Sequence, residues 1–240
     1  VNSSKCEPVV MDEQFNSAVT DIFRNEYLSP RSPYTTLQIP KQGIGEWCHP
    51  LHTVDIDDSG LRSSVQKGVL NTKLGVPFRT PAEGQNIAFT SLWDNYPDSL
   101  TVSLKGKASR AYLLMAGSTN HMQCHIDNGL IRVYYKDGTC DKMALRNPDN
   151  WAPIEHIFFE DDLAFNRHAP ALYRLRLKTG EISNNFGEEL GFPGASRELD
   201  GGAAILLEMP LNPDKKLSHL VLETLSNDVV IGLMGITLQR

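Results

Sequence analysis

The chain has 240 residues, 40% of them hydrophobic and 22% charged, enough apolar material for a sizeable core and too much for a disordered polymer. Its formal charge is −6 with no cluster of Lys or Arg, which argues against nucleic acid or an anionic membrane surface as partner, since either needs a basic stripe. The longest apolar runs, such as Ala203–Leu207 and Val229–Leu233, fall far short of the ~20 residues that span a bilayer, so no membrane insertion is expected.

Met11, Phe15, Val19, Ile22, Phe23 and Tyr27 recur at the spacing of one helical face, which predicts an amphipathic helix over Met11–Tyr27. The S-P-R-S-P of Ser29–Pro33 ends it, because each proline lacks a donor and pushes its predecessor out of the helical region. Residues 1–33 thus read as an N-terminal helix and Pro-rich linker, and residues 34–240 as one β domain. The helix is expected to pack at the edge of that domain or to be the tail of a preceding domain's last helix. The chain opens on Val1 rather than Met and shows no signal peptide, which leads us to expect a processed chain or a piece of something longer.

Beyond Pro33 the apolar period shortens to that of strands. Short strands are expected at Thr35–Ile39, Thr53–Ile56, Val76–Phe78 and Ile87–Trp93. Leu100–Leu104 alternates strictly, and Arg110–Ala116 is a solid apolar run, as for a strand covered on both faces. Ile131–Lys136 and Thr139–Leu145 flank Asp137-Gly138, a hairpin signal that predicts a type I′ turn. Tyr173–Lys178 alternates again, with Leu175 and Leu177 on one side and Arg174 and Arg176 on the other. Ala203–Met209, His219–Leu225 and Val229–Gln239 complete the set. Many short strands with Gly/Pro/Asn punctuation and no βαβ alternation predict an all-β fold: an antiparallel β-sandwich or jelly roll behind a short N-terminal helix.

Chemistry-bearing residues are few. Cys48, His49 and His52 have ligand-type side chains, but adjacent Cys48 and His49 diverge in an extended chain, and nothing downstream completes a zinc set. Cys6, Cys48, Cys124 and Cys140 lack any C-x-x-C pairing; one bridge has room to form, with no way to choose the pair. No metal site and no cofactor is therefore expected. The one ion for which the sequence leaves room is calcium, at Asp55, Asp57 and Asp58, although the full loop pattern is missing and a strand ending in an acidic turn at Asp57–Gly60 explains them as well. No nucleophile elbow or phosphate loop occurs. Glu155 with Asp161 or Asp162 could form a glycosidase-like carboxylate pair, but the spacing has no diagnostic value.

Aromatic residues near turns remain: Trp47, Trp93 with Tyr96, and Trp151. An aromatic face suits the C–H face of a sugar, with nearby acids and amides for its hydroxyls, so Trp47, Trp93, Tyr96, Trp151, Glu155 and Asp161 are the ligand-binding candidates. Plugging the open ends of a sandwich explains the tryptophans equally.

The stretches Leu104–Asn120 (L-K-G-K-A-S-R-A-Y-L-L-M-A-G-S-T-N), Asn128–Thr139, Leu145–Glu155 (L-R-N-P-D-N-W-A-P-I-E), Asp200–Leu217 and Ser226–Leu238 together resemble the C-terminal, galactose-binding-like β-sandwich modules of large gut-bacterial proteins. Those proteins look like glycoside hydrolases with a separate helical, six-hairpin-type catalytic part. The resemblance covers roughly Leu37–Gln239 and rests on strand and turn motifs, which are informative for fold and weak for activity. It implies a non-catalytic carbohydrate-binding or accessory module in polysaccharide degradation. The implied partners are a glycan or the adjacent catalytic domain of the same polypeptide, and the implied location is the periplasm or cell surface. No functional residue carries over. A carbohydrate hydrolase using the Glu155–Asp162 region and a purely structural docking domain are the alternatives.

Overall fold

The structure is a computed structural model that describes residues 1–24, 55–93, 95–119, 123–157, 166–191 and 197–240. In chain order its strands are β1 (Cys6–Pro8), β2 (Val65–Gln66), β3 (Val69–Asn71), β4 (Pro77–Arg79), β5 (Ala88–Ser91), β6 (Ser99–Ser103), β7 (Arg110–Thr119), β8 (Asp127–Tyr135), β9 (Cys140–Arg146), β10 (Tyr173–Arg176), β11 (Ile182–Ser183), β12 (Ala203–Pro210), β13 (Leu217–Thr224) and β14 (Val229–Gln239). Two short helices, α1 (Ser59–Ser63) and α2 (Phe186–Glu189), interrupt them. The pairings between these strands are antiparallel. The fold is an all-β sandwich, as the strand periodicity implied.

The central sheet has seven strands in the order β1-β14-β7-β12-β10-β11, with β5 also paired to β14. One face meets the four-stranded sheet β6-β13-β8-β9, and the other meets the three-stranded sheet β2-β3-β4. This explains the solid apolar run of β7. Ala111, Leu113 and Met115 enter the core shared with the four-stranded sheet, while Tyr112, Leu114 and Ala116 enter the core on the opposite face. β14 does the same and shifts register between Leu233 and Gly235. Across that bulge the positions facing the first core change from Val229, Ile231 and Leu233 to Ile236 and Leu238, so that face stays apolar. β6, at the edge of the outer sheet, has one dry face only and keeps strict alternation.

The helix expected over 11–27 does not form in residues 11–24, and 25–27 lie outside the described residues. Apart from a short 3₁₀ turn at Val19–Asp21, this segment is irregular. Its apolar residues are buried, but on different faces: Met11 and Phe15 join the first core, Val19 and Ile22 the second. A helix would spend the backbone amides on i−4 carbonyls. Here the Asn16 and Ser17 amides donate instead to the Ile87 carbonyl at 3.0 and 3.2 Å. The Asn16 side chain brackets Phe89, donating to its carbonyl at 3.0 Å and accepting from its amide at 2.9 Å. With β1 paired to β14, the first 24 residues are built into the sandwich.

The Asp-Gly hairpin joins β8 and β9, with a different loop from the one expected. The Gly138 amide donates to Tyr135 O at 3.0 Å, and the Tyr135 amide donates to Thr139 O at 2.9 Å. Only Gly138 in this loop has positive φ, 85°. The loop is therefore Lys136–Asp137–Gly138 closed by a glycine bulge, rather than a two-residue I′ turn. The strand expected at 35–39 lies outside the described residues, as do 53 and 54 of the strand expected at 53–56; of its described residues, Ile56 pairs as an isolated bridge to Gly201. The acidic turn at 57–60 instead starts α1.

Candidate functional site

Residues 147–157 and 166–172, between β9 and β10, meet residues 184–191 and 197–202, between β11 and β12, at one rim of the sandwich. Arg174 organises this rim. On β10 it lies opposite Leu175, on the side expected to be wet, yet it is only 5% exposed. Its guanidinium donates to four backbone carbonyls: Pro153 at 2.9 Å, Ala203 at 3.1 Å, His156 at 3.2 Å and Ala204 at 3.4 Å. Backbone bonds complete the stitching, with the Ile154 amide on Gly117 O at 2.8 Å, the Ala203 amide on Ile154 O at 2.8 Å and the Leu199 amide on Glu155 O at 2.9 Å.

Glu155 lies beneath this stitching, 3% exposed. Burial pushes its carboxyl up to about 7, a rise that a backbone hydrogen bond and the Arg174 charge offset and that Glu198 reinforces. Burial likewise draws Arg174 down to about 10, against the pull of Glu155. Next to this pair opens a cleft of about 420 Å³, bordered by Arg167, Arg174, Arg197, Ser183, Asn184, Phe186 and Glu188. Because all of Arg174's polar nitrogens face carbonyls, it shapes the cleft floor rather than reaching outward. The Ser183 hydroxyl donates to Glu189 at 2.7 Å and the Asn185 amide group to Glu188 at 2.9 Å, holding the α2 wall in place.

Among the described residues, none of the aromatic candidates lines this cleft. Trp151 is 0% exposed in the first core, with Gly117 against its ring: a Cβ there would come within 2.6 Å of Trp151 Cζ2. Trp93 is 9% exposed, and its indole N–H donates to Asn227 O at 2.6 Å. Tyr96 is 8% exposed and packs against Phe89 at 5.1 Å between ring centroids. Trp93 and Trp151 are packing residues, and Tyr96, though mostly buried, borders a separate cleft beside Asn16 and Asp21. Trp47, Asp161 and Asp162 lie outside the described residues, as do Cys48, His49 and His52. Cys6 and Cys140 are free thiols. At the proposed calcium loop, Asp57 accepts from the Ser59 amide at 2.9 Å, and Asp58 accepts from Arg62 at 2.8 Å and Asn86 at 2.9 Å. These carboxylates are committed to starting α1 and tying it to the neighbouring loop.

One constellation was invisible in the sequence. His125 precedes β8, Asp149 follows β9, and His168 lies in the same long connection. Their ligand atoms lie within 4.8 Å of one another. His125 takes a left-handed φ of 54°, unusual for a residue with a side chain, and its amide donates to Asn147 O at 2.7 Å. Its Nδ1 is 3.9 Å from Asp149 Oδ2, and its ring is 4.9 Å from that of His168. The other Asp149 oxygen accepts from the His168 amide at 2.7 Å, which orients the carboxylate. Pro148 and Arg167, the chain neighbours of Asp149 and His168, border the cleft, so the cluster stands at its rim. Comparison with known proteins finds no matching family model and no matching curated protein.

Proposed function

We propose that the chain is a non-catalytic carbohydrate-binding or accessory β-sandwich module of a polysaccharide-degrading glycoside hydrolase, exported with it to the periplasm or cell surface, and that its glycan sits in the Arg167–Asn184–Phe186 cleft. One observation carries this reading: a cleft of about 420 Å³, the size of small-ligand sites, whose border mixes guanidinium, amide and hydroxyl groups with apolar side chains such as Leu172 and Ile157. Such groups match the hydroxyls and C–H faces of a sugar. The resemblance of the strand motifs supports the same reading. Titration of the purified chain against a polysaccharide panel tests it. Binding should weaken roughly tenfold in Asn184→Ala or Arg167→Ala with an unchanged melting temperature, the loss expected for one or two ligand hydrogen bonds. A panel that yields no ligand, or binding untouched by both substitutions, overturns it.

A second reading, a carbohydrate hydrolase, is favoured by Glu155, whose proton is held to about 7, as a general acid requires. Its 3% exposure speaks against contact with a glycosidic oxygen. Polysaccharide turnover by the purified chain, abolished in Glu155→Gln, would establish it; binding without turnover leaves the accessory reading standing.

A further inference from the structure

We propose that His125, Asp149 and His168 form a binding site for a divalent transition-metal ion, zinc foremost. A neutral imidazole pair and one carboxylate are the donor set of three-ligand zinc sites, in which water fills the fourth position. Three atoms within 4.8 Å of one another share a centre no more than about 2.8 Å from each, so closing to zinc's ~2.0–2.2 Å takes less than an ångström of movement. His168 is exposed and free to make that movement. The 3.9 Å between His125 Nδ1 and Asp149 Oδ2 is too long for a hydrogen bond and close to the roughly 3.3 Å that separates two ligands on one tetrahedral ion.

Buried polar groups in the same turns are left without partners among the described residues. His125 Nε2 is one of them. Asn147, which receives the His125 amide, is 0% exposed, and both of its side-chain amide atoms also lack a partner among those residues. Meanwhile Asp149 spends one oxygen on the His168 amide and keeps the other toward His125, the outer-shell arrangement that orients a ligating carboxylate. The site does not depend on glycan binding, and it can be measured without any sugar.

The test is zinc titration of the full, chelator-stripped chain by calorimetry, with cobalt(II) absorption as a second readout of a low-coordinate N/O site. One equivalent of zinc should bind and raise the melting temperature. Asp149→Ala and His168→Ala should each weaken binding by roughly tenfold or more. His219→Ala, on the outer sheet where its ring stacks on Tyr134 at 4.7 Å, should bind as the unaltered chain does. Since His125→Ala risks unfolding the turn, the exposed His168 supplies the variant whose fold is safe. No stoichiometric zinc binding, or equal binding by His168→Ala and Asp149→Ala, overturns the proposal.

Discussion

Trp151 illustrates how a side chain that resembles a ligand platform turns out to be a wall. It is 0% exposed, and its ring runs against the backbone at Gly117. Trp151→Ala should lower stability by about 3–5 kcal/mol in denaturant melts, the range for deleting a large buried aromatic. Gly117→Ala should act from the other side of the same contact. Its Cβ would lie 2.1 Å from Val230 O as well as against the indole, so a loss of about 1–3 kcal/mol is expected in the same assay. Glu155 makes stability depend on pH. Its carboxyl is raised from 4.5 to about 7 in the folded chain, so between those values the native state binds the proton that the unfolded chain has released. The stabilisation is complete below pH 4.5 and is lost as pH rises through about 7. Melting temperature should fall across that window, and Glu155→Gln should flatten the slope.

The β8–β9 hairpin and the N-terminal segment mark the limits of local pattern. An Asp-Gly pair fits both a two-residue I′ turn and a three-residue loop with a glycine bulge, and neighbouring contacts select the latter. Asp137 accepts from the Thr139 hydroxyl and amide at 2.6 and 2.9 Å and meets Lys215 at 3.0 Å. These contacts hold its carboxyl down to about 2, so its support for the hairpin is present above pH 3.8 and fades as pH falls through about 2. Asp137→Ala should speed amide exchange at Thr139 while leaving the core amides of β8 unchanged. In the N-terminal segment, the spacing of Met11, Phe15 and Val19 suits a helical stripe but serves equally a chain that wraps a sheet edge and feeds two cores. Periodicity cannot tell these apart, because the amides of Asn16 and Ser17 find their acceptor on Ile87, seventy residues on.

Three stacked layers with the N-terminal segment woven through them should unfold as one cooperative unit. Val19 and Ile22 are 0% exposed against the strands β4 and β5 and the central sheet. Ile22→Ala should therefore cost about 2–5 kcal/mol and shift the same single melting transition as Trp151→Ala. A lead-in that merely precedes the domain would leave that transition where it is; calorimetry of the two variants distinguishes the cases.

The longer strands were legible in the sequence, because a period of two is a local property and the apolar run of β7 announces burial on both sides, whereas the two- and three-residue strands β1, β2, β3 and β11 are too short to show a period. Leu175 and Leu177 point inward as their alternation requires. The fate of Arg174 was not legible, since it depends on carbonyls of Pro153, His156, Ala203 and Ala204 that only the packed sheet brings around it. The same holds for His125, Asp149 and His168, which sit in separate turns without a shared motif. Spacing along a chain reports which face a residue takes. Which distant groups meet there is set by strand pairing and layer packing, and in this protein the cleft and the His–Asp–His cluster both arise from those long-range contacts.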